Sequence, residues 1–422
     1  MTVTTTDRLR GEFRTLTKCR LCGGGDLNRF IDFGDVPLAG AFVHPERKAE
    51  ERFYPMGMQF CRCCANVQVD TAIPADTLFK HYFYFSSAIQ TLKDHFASFA
   101  EELSKDLVPK NGLVVEVGCN DGVFLRPIRE RGLRCAGVDP ATNVVATMKD
   151  SGIPVYNECF TKATAERIRV QHGAADAVVS SFSFAHIDDM HEVMRGIEHL
   201  LGPDGVFVFE IYYLGIVMQE MQYDMMYHEH MSYYTQHALE RFLGRYGLEL
   251  FDVRRITLRS GTLRFYARRK TSSKNPVRPS VGQQAETERS AGLLDEKTFQ
   301  SFGARVHGTK TALLQVLDRY RKEGKRVIGY GASGRATTIM NYCGLDERYL
   351  DYVADDAPAK HGYLTPGTHI PVGPWPTEGP APDAVLVFAW PFLEEVKRRR
   401  KDYLQNGGQF IIPLPDVRVE GA

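Results

Sequence analysis

The chain has 422 residues, and its 52 basic and 52 acidic residues give a formal net charge of zero. A neutral chain has no long-range field that recruits nucleic acid or an anionic membrane, so we expect small-molecule partners. The length predicts two or three domains. Apolar runs fall short of the roughly 20 residues of a membrane span, and the first residues lack a signal-peptide pattern. These features predict a cytoplasmic protein, a monomer or at most a weak dimer.

Cysteine is concentrated at the N-terminal end, where five of the nine cysteines precede residue 65. Two C-x-x-C pairs lie there, in the pattern by which two tight turns offer four thiolates to a tetrahedral zinc ion. Four thiolates leave no open position for water or substrate, so a structural zinc is expected, with redox thiols or a vacant remnant as alternatives. Cys63 is the spare thiol. The predicted ligands are Cys19, Cys22, Cys61 and Cys64.

The middle of the chain predicts a nucleotide-type α/β domain. An apolar strand at 113–117 runs into the glycine-rich turn G-C-N-D-G at 118–122 and then a helical run. A second strand ends in Asp139, an acid placed to bind ribose hydroxyls. Further apolar runs at 154–156, 176–180 and 205–210 indicate a mainly parallel sheet, with ligands at the carboxyl ends of its strands.

The turn itself is acidic, because Glu116 precedes the first glycine and Asp121 lies within it. Two carboxylates would repel a pyrophosphate, whereas they suit the sulfonium and ammonium groups of S-adenosylmethionine (SAM). Glu158 follows the third strand and could reach the adenine amino group or be a solvated loop acid. The predicted cofactor residues are Glu116, Gly118, Asn120 and Asp121 at the methionine end, Asp139 at the ribose and Glu158 at the adenine.

The C-terminal third predicts a second Rossmann-like unit. A polar stretch around 276–300 is interpreted as a linker, and a helix ending at Gly324 follows. A strand and glycine-rich turn at 326–334 then precede strands at 352–354, 384–388 and 409–412. The turn could cradle a diphosphate with Arg335 as charge partner, or it could be a scaffold that binds nothing.

Four proton-handling side chains stand in succession at 227–230, with the sequence Y-H-E-H. In an extended chain, Tyr227 and Glu229 would lie on one face and His228 and His230 on the other. Either pair could act on a substrate.

Taken together, these motifs resemble the zinc-containing, SAM-dependent C-methyltransferases of nucleotide-linked 4-keto-6-deoxy sugars in antibiotic biosynthesis. The resemblance runs nearly end to end and includes the cysteine pairs, Y-F-Y-F-S-S at 82–87, E-V-G-C-N-D-G at 116–122, A-H-I-D-D at 185–189 and Y-H-E-H. It implies an α/β chain with a small zinc-binding domain at 1–75 and a class I SAM methyltransferase-like Rossmann domain at 76–275. A linker at 276–300 and a C-terminal Rossmann-like α/β domain at 301–422 would follow.

The resemblance also implies the residues around the sugar. We expect His230 to remove a proton beside the sugar ketone, with Glu229 setting its tautomer and His186 and tyrosines donating to the enolate. The substrate would be a nucleotide-linked ketosugar, with dTDP as the first choice of nucleotide and C3 or C5 as the methylated carbon. The implied residues are His230, Glu229, Tyr227, His186, and Tyr82 or Tyr84.

Two loops depart from the family pattern. Residues 259–264 read R-S-G-T-L-R where H-G-G-S-L-R is usual, and residues 331–336 read G-A-S-G-R-A where G-A-x-A-K-G is usual. Both loops are expected to contact the sugar nucleotide. The alternative is therefore a SAM-binding isomerase that epimerises or ring-contracts the sugar through the same enolate. A nicotinamide oxidoreductase and a non-catalytic sugar-nucleotide scaffold are further alternatives.

Overall fold

The computed structural model describes residues 9, 11–80, 85–258 and 261–421. The N-terminal part is built mainly from short antiparallel strands, because glycines and prolines divide it into turns. Its elements are β1 (Arg14–Thr15), β2 (Leu27–Val36), β3 (Tyr54–Cys61), β4 (Val67–Val69), β5 (Thr71–Ala72) and α1 (Ala75–Phe79).

The middle part is a seven-stranded sheet in the order β12-β13-β10-β9-β6-β7-β8, with β13 antiparallel to its neighbours β10 and β12. Helices separate the parallel strands, as the alternating pattern predicted. The elements are α2 (Gln90–Glu102), β6 (Leu113–Val117), α3 (Leu125–Glu130), β7 (Arg134–Val138), α4 (Thr142–Val145), β8 (Val155–Tyr156), α5 (Lys162–His172), β9 (Ala175–Ser181), α6 (Met190–Leu200), β10 (Leu201–Tyr212), α7 (Leu214–Gln219), β11 (Ser232–Tyr233), α8 (Gln236–Gly244), β12 (Leu248–Ile256), β13 (Thr262–Arg269) and α9 (Pro279–Ser290).

The C-terminal part is a second, six-stranded sheet in the order β16-β15-β14-β17-β18-β19, parallel except for β19. Its first strand in the chain, β14, pairs with β15 on one side and with β17 on the other. The strand order therefore reverses beside β14. The elements are α10 (Glu296–Lys322), β14 (Val327–Tyr330), α11 (Gly334–Cys343), β15 (Val353–Ala354), β16 (Val372–Gly373), β17 (Ala384–Val387), α12 (Leu393–Arg399), α13 (Lys401–Gln405), β18 (Gln409–Ile412) and β19 (Arg418–Glu420).

The N-terminal sheet borrows a strand from the middle of the chain. Its order is β11-β4-β3-β2, and β11 pairs antiparallel with β4 through Ser232 opposite Gln68 and Tyr233 opposite Val67. Because β11 begins two residues after His230, the Y-H-E-H segment is attached directly to the N-terminal sheet.

The segment expected to be a linker is in part helical. Helix α9 spans Pro279–Ser290, and α10 already begins at Glu296. Glu288 on α9 is 1% exposed and accepts hydrogen bonds from the backbone N–H groups of Gln236 (2.7 Å) and His237 (3.3 Å) at the start of α8. The polar composition predicted a solvent-exposed segment. Instead, the buried Glu288 carboxylate caps α8 and helps to dock the segment on the domain.

Helix α10 lies directly on the N-terminal sheet. Phe299 stacks on Phe60 with ring centroids 4.5 Å apart, and Gly303 passes over the backbone of β2. A Cβ atom at Gly303 would lie 2.1 Å from the carbonyl oxygen of Phe30. Only glycine lets the helix approach this closely.

None of the helices in the described ranges combines the length and the apolar character required to cross a bilayer.

Gly303→Ala should destabilise the protein by about 1–3 kcal/mol, because the added methyl group meets backbone that cannot rotate away. Gly308→Ala on the same helix is the matched control, since a Cβ there meets nothing within 4 Å. Replacing that exposed helical glycine should stabilise by about 0.5–1 kcal/mol. Thermal-unfolding midpoints measure both effects, and equal midpoints for the two variants would contradict this packing account.

Candidate active site

The four predicted zinc ligands come together at one point. All four sulfur atoms lie within 4.8 Å of one another, with 3.6 Å between Cys19 and Cys64 and 3.5 Å between Cys22 and Cys61. A tetrahedral zinc with Zn–S bonds of about 2.3 Å needs sulfur separations of just under about 4 Å, so this donor set fits zinc. Cys63 is exposed, as expected of a spare thiol.

Four of the six predicted cofactor residues, Glu116, Gly118, Asn120 and Asp139, line a cavity of about 650 Å³ at the carboxyl ends of β6, β7 and β9. Segments of the N-terminal part close its other side. The walls include residues 116–120, 138–141, 159–161, 181–183 and 186–189 from the middle part and residues 12–14 and 72–75 from the N-terminal part.

Three buried polar atoms in the cavity wall have no hydrogen-bond partner among the described residues. They are Glu116 Oε2, Ser181 Oγ and His186 Nε2. Burial, and then the negative charges of Asp139, Asp121 and Glu210, raise the pKa of Glu116 well above its usual value. A bound cation would offset that cost of ionisation, so the wall fits the ammonium and sulfonium groups of SAM.

Asp139 is fixed in place at the end of β7. Its carboxylate accepts hydrogen bonds from the backbone N–H groups of Asn120 (2.8 Å) and Ala141 (2.9 Å). Burial raises the pKa of Asp139, and these two N–H groups oppose the rise. Its position beside the turn is the one predicted for ribose binding.

Gly118 accounts for the tightness of the turn. Its φ of +80° lies in the left-handed region, and a Cβ there would sit 2.3 Å from Ser183 Oγ. Ser183 in turn donates a hydrogen bond to the Val117 carbonyl at 2.7 Å. A side chain at 118 would therefore break the contact that shapes this cavity wall.

Two predicted cofactor residues do not line the cavity. The Asp121 carboxylate accepts the backbone N–H of Ser87 at 3.0 Å, so it holds the segment before α2. Glu158 forms an ion pair with Arg167 and accepts a hydrogen bond from Thr164 at 2.8 Å. Asn120 lines the cavity, while its side-chain oxygen accepts the N–H of Ser86 at 2.9 Å.

The Y-H-E-H segment is a turn, so the predicted alternation of faces is wrong. The N–H of His230 donates to the Tyr227 carbonyl at 3.0 Å, which brings the two rings together with centroids 4.0 Å apart. His228 points elsewhere, donating from Nε2 to the Pro55 carbonyl (3.1 Å) and packing on Tyr54. Tyr227 and His230 therefore share a side, and His228 is structural.

His230 has a fixed tautomer. Its Nδ1 lies 2.7 Å from the Met225 carbonyl oxygen, which can only accept, so Nδ1 carries the proton and Nε2 the lone pair. Tyr233 donates to the same carbonyl at 2.5 Å. Burial, and then the neighbouring His186, lower the pKa of His230 well below its usual value. The partner on Nδ1 is thus a backbone carbonyl, not the Glu229 carboxylate predicted to set the tautomer.

Other predicted residues flank His230. The ring of His186 is nearly parallel to it at 5.1 Å and reaches the cavity, and burial lowers the pKa of His186 to about 4. Burial raises the pKa of Glu229 to about 7, and its Oε2 is buried without a partner among the described residues. Tyr82 and Tyr84 lie outside the described residues.

The two atypical loops are described only in part. Arg259 and Ser260 lie outside the described residues, and residues 262–264 are buried in β13, where Arg264 pairs with Glu210 and Glu102. In the second loop Ser333 caps α11, and Arg335 bonds the buried Asp224 at 3.2 Å. Arg264 and Arg335 thus each have an acidic partner within the chain.

Sequence reasoning missed several contributors to the site. Met225 acts through its carbonyl, and Tyr212 packs against His230 with ring centroids 5.2 Å apart. Ser181 is the last residue of β9, and the serine pair at that strand end was the available signal for a residue at the carboxyl edge. Arg20 lies between two zinc ligands and bonds Asp188 in the A-H-I-D-D motif at 2.9 Å.

Cys64→Ser should abolish stoichiometric zinc binding and unfold the N-terminal part, because a structural zinc site supplies folding free energy. Cys63→Ser should keep one zinc per chain. Metal analysis of the purified variants and their thermal-unfolding midpoints measure this. Equal zinc content in both variants would refute the assignment of Cys64 as a ligand.

Glu116→Gln should weaken SAM binding by about 10–100-fold, because the variant loses one charge-assisted contact with the cofactor. Because the pKa of Glu116 is raised in the free protein, a bound cation lowers it and releases a proton. Wild-type affinity should thus rise with increasing pH up to that raised pKa, and the variant should lack this slope.

Isothermal titration calorimetry in buffers of different ionisation enthalpy measures both the affinity and the released proton. Glu158→Gln is the control, and its affinity should stay within about twofold of wild type because Glu158 faces Arg167. An unchanged affinity for Glu116→Gln would contradict the placement of the cation.

Comparison with known proteins agrees with this architecture. Family models match a zinc binding domain at residues 19–79, a methyltransferase domain at 89–253 and a C-methyltransferase C-terminal domain at 257–415. The C-methyltransferase NovU of Streptomyces niveus is 33% identical over 412 residues, covering 97% of this chain and 98% of that protein.

More distant similarities cover less than half of this chain. A ubiquinone biosynthesis O-methyltransferase of Cupriavidus pinatubonensis is 26% identical over 34% of this chain and 63% of that protein. The crystal structure of magnesium protoporphyrin IX methyltransferase from Synechocystis with bound SAM covers 43% of this chain and 79% of that one, at 14% identity and a TM-score of 0.31. With its four-cysteine cluster, its methyltransferase sheet and a relative matched along nearly its whole length, the chain belongs to the family of SAM-dependent C-methyltransferases that carry a zinc-binding domain.

Proposed function

We propose that this enzyme transfers a methyl group from SAM to C3 or C5 of a nucleotide-linked 4-keto-6-deoxy sugar, dTDP-linked in the first instance, through an enolate. The observation that carries the proposal is the neutral His230, whose tautomer is fixed by the Met225 carbonyl and whose ring packs against Tyr227 and His186. Membership of a C-methyltransferase family favours methyl transfer over isomerisation of the same enolate.

The chemistry requires a base that is deprotonated before the reaction. A ketone at C4 acidifies the hydrogens on C3 and C5, and Nε2 of His230 removes one as a proton while the electron pair moves onto the ketone oxygen. Bound SAM supplies an electrophilic methyl group on its sulfonium. Attack of the enolate carbon on that methyl forms the carbon–carbon bond, and the pair of the broken S–C bond stays on sulfur.

The surroundings of His230 suit this role. Its low pKa keeps the imidazole deprotonated at neutral pH, and the ring is held by Met225, Tyr227 and Tyr212. We assign Tyr227 and His186 as donors to the developing enolate oxygen, because His186 reaches the cavity and lies beside His230. Glu229, with a pKa of about 7, balances the charge of the protonated imidazole.

The C-terminal sheet supports the choice of a nucleotide-linked sugar. Its strand order reverses beside β14, and a ligand crevice is expected outside the carboxyl ends of strands at such a point. The ten-residue helix α11 begins there, with Ser333 capping its first turn, and Gly334 lies against Tyr227. We therefore assign the diphosphate to the N-terminus of α11, with the sugar directed toward Tyr227.

His230→Gln should reduce the exchange of solvent deuterium into the ketosugar by at least about 100-fold, because the base is removed. Methyl transfer should fall equally. His186→Gln should lower both rates less, by about 10–100-fold, because it removes one donor to the enolate.

Mass spectrometry of the sugar nucleotide reads deuterium incorporation and the mass gain of one methylene group together. Binding of SAM to both variants, measured by calorimetry, controls for folding. Full deuterium exchange by His230→Gln would refute its role, and loss of exchange in His186→Gln alone would transfer that role to His186.

A further inference from the structure

We propose that Arg20, which lies between two zinc ligands, is a positioning residue that holds both catalytic histidine segments in register. The effect of Arg20 on catalysis rests on the function proposed above. In this arrangement the zinc cluster stabilises the fold and also sets the geometry of the active site.

Arg20 is almost completely buried, with its side chain 2% exposed. Its guanidinium spreads bonds over four partners. Nε donates to Asp188 Oδ1 at 2.9 Å, one terminal nitrogen donates to the carbonyls of Val69 (2.7 Å) and Met231 (3.2 Å), and the other donates to the Thr71 carbonyl at 3.2 Å. A planar guanidinium is required to bond all four partners at once, because its N–H donors point in several fixed directions.

Two of these partners belong to the catalytic segments. Asp188 lies in the cavity wall two residues after His186, and Met231 directly follows His230. The N–H of Met231 also donates to the Ala185 carbonyl at 2.9 Å. One guanidinium therefore ties the two histidine segments to each other, and their rings lie nearly parallel at 5.1 Å.

The backbone of Arg20 is fixed by the zinc cluster. Cys19 and Cys22 enclose it, and the turn is closed by hydrogen bonds between Cys19 and both Gly23 and Gly24, each at 2.9 Å. The Arg20 N–H donates to Gln68 Oε1 at 2.8 Å, on the strand that pairs with β11. Because its backbone has little conformational freedom, Arg20 can hold its four partners in place.

The second cysteine pair supplies a matched control at the same position of its motif. Arg62 follows Cys61 as Arg20 follows Cys19. Its side chain is 45% exposed, and it bonds Asp26 at 2.8 Å and Glu296 of α10 at 2.7 Å. Arg62 faces away from the histidines, so its loss should affect neither of them.

Arg20→Lys should lower kcat by about 10–100-fold, because a lysine cannot span all four partners and a shift of about 1 Å at a catalytic group costs rates of this order. Zinc content and SAM affinity should stay within about twofold of wild type. Arg62→Lys should leave kcat, zinc content and SAM affinity unchanged. A wild-type kcat for Arg20→Lys, or an equal loss in Arg62→Lys, overturns the proposal.

A measurement without substrate separates this proposal from the proposed function. Histidine ring nitrogens labelled with 15N report the tautomer and surroundings of His186 and His230 by NMR. Their resonances should shift in Arg20→Lys and stay in place in Arg62→Lys. If the wild-type enzyme fails to methylate any 4-ketosugar nucleotide, the proposed function fails, while these resonances still decide whether Arg20 positions the histidines.

A second variant covers the case in which Arg20→Lys loses zinc or fails to fold. Asp188→Asn keeps the guanidinium and its carbonyl bonds and weakens the charged contacts of Asp188 with Arg20 and with the exposed Arg14. With zinc retained, shifted histidine resonances and a reduced kcat in Asp188→Asn support the proposal, and wild-type resonances overturn it.

Discussion

The pairing of β11 with β4 is the interaction on which the active site depends. It inserts the chain just after His230 into the sheet that carries the zinc cluster, and the N–H of Val69 donates to the Met231 carbonyl at 3.0 Å. On the other side, Met231 bonds the backbone next to His186. His230 is therefore held between two parts of the chain, and neither part alone defines its position.

The second constraint is electrostatic. Acids accumulate around the cofactor cavity, where Glu116 and Asp139 are buried close enough to raise the cost of ionising Glu116. His186 in the cavity wall and His230 beside it have lowered pKa values and are uncharged at neutral pH. One end of the site thus favours a cation, and the other end offers a neutral proton acceptor. This separation of charge keeps cofactor binding and proton transfer from competing for the same groups.

Much of this organisation could be predicted from the sequence, because it follows from local patterns. The strand at 113–117 is β6, and the spacing of the two cysteine pairs identified all four members of the zinc cluster. The structure differs from expectation where a backbone group or a partner on a neighbouring element decides the contact. The Met225 carbonyl, not Glu229, sets the tautomer of His230, and Glu158 pairs with Arg167 on the following helix. A carbonyl carries no residue-type signal, and a pair between a loop acid and a helical arginine follows no fixed spacing.

The borrowed strand has a consequence for how the protein is made. During synthesis the cysteines and β4 leave the ribosome long before Tyr233 does, so the edge of β4 waits without its neighbour while the middle of the chain is produced. Unpaired edges invite association with other chains, and the brevity of β4, three residues, limits that hazard. Placement of His230 is thereby tied to completion of a sheet begun near the other end of the molecule.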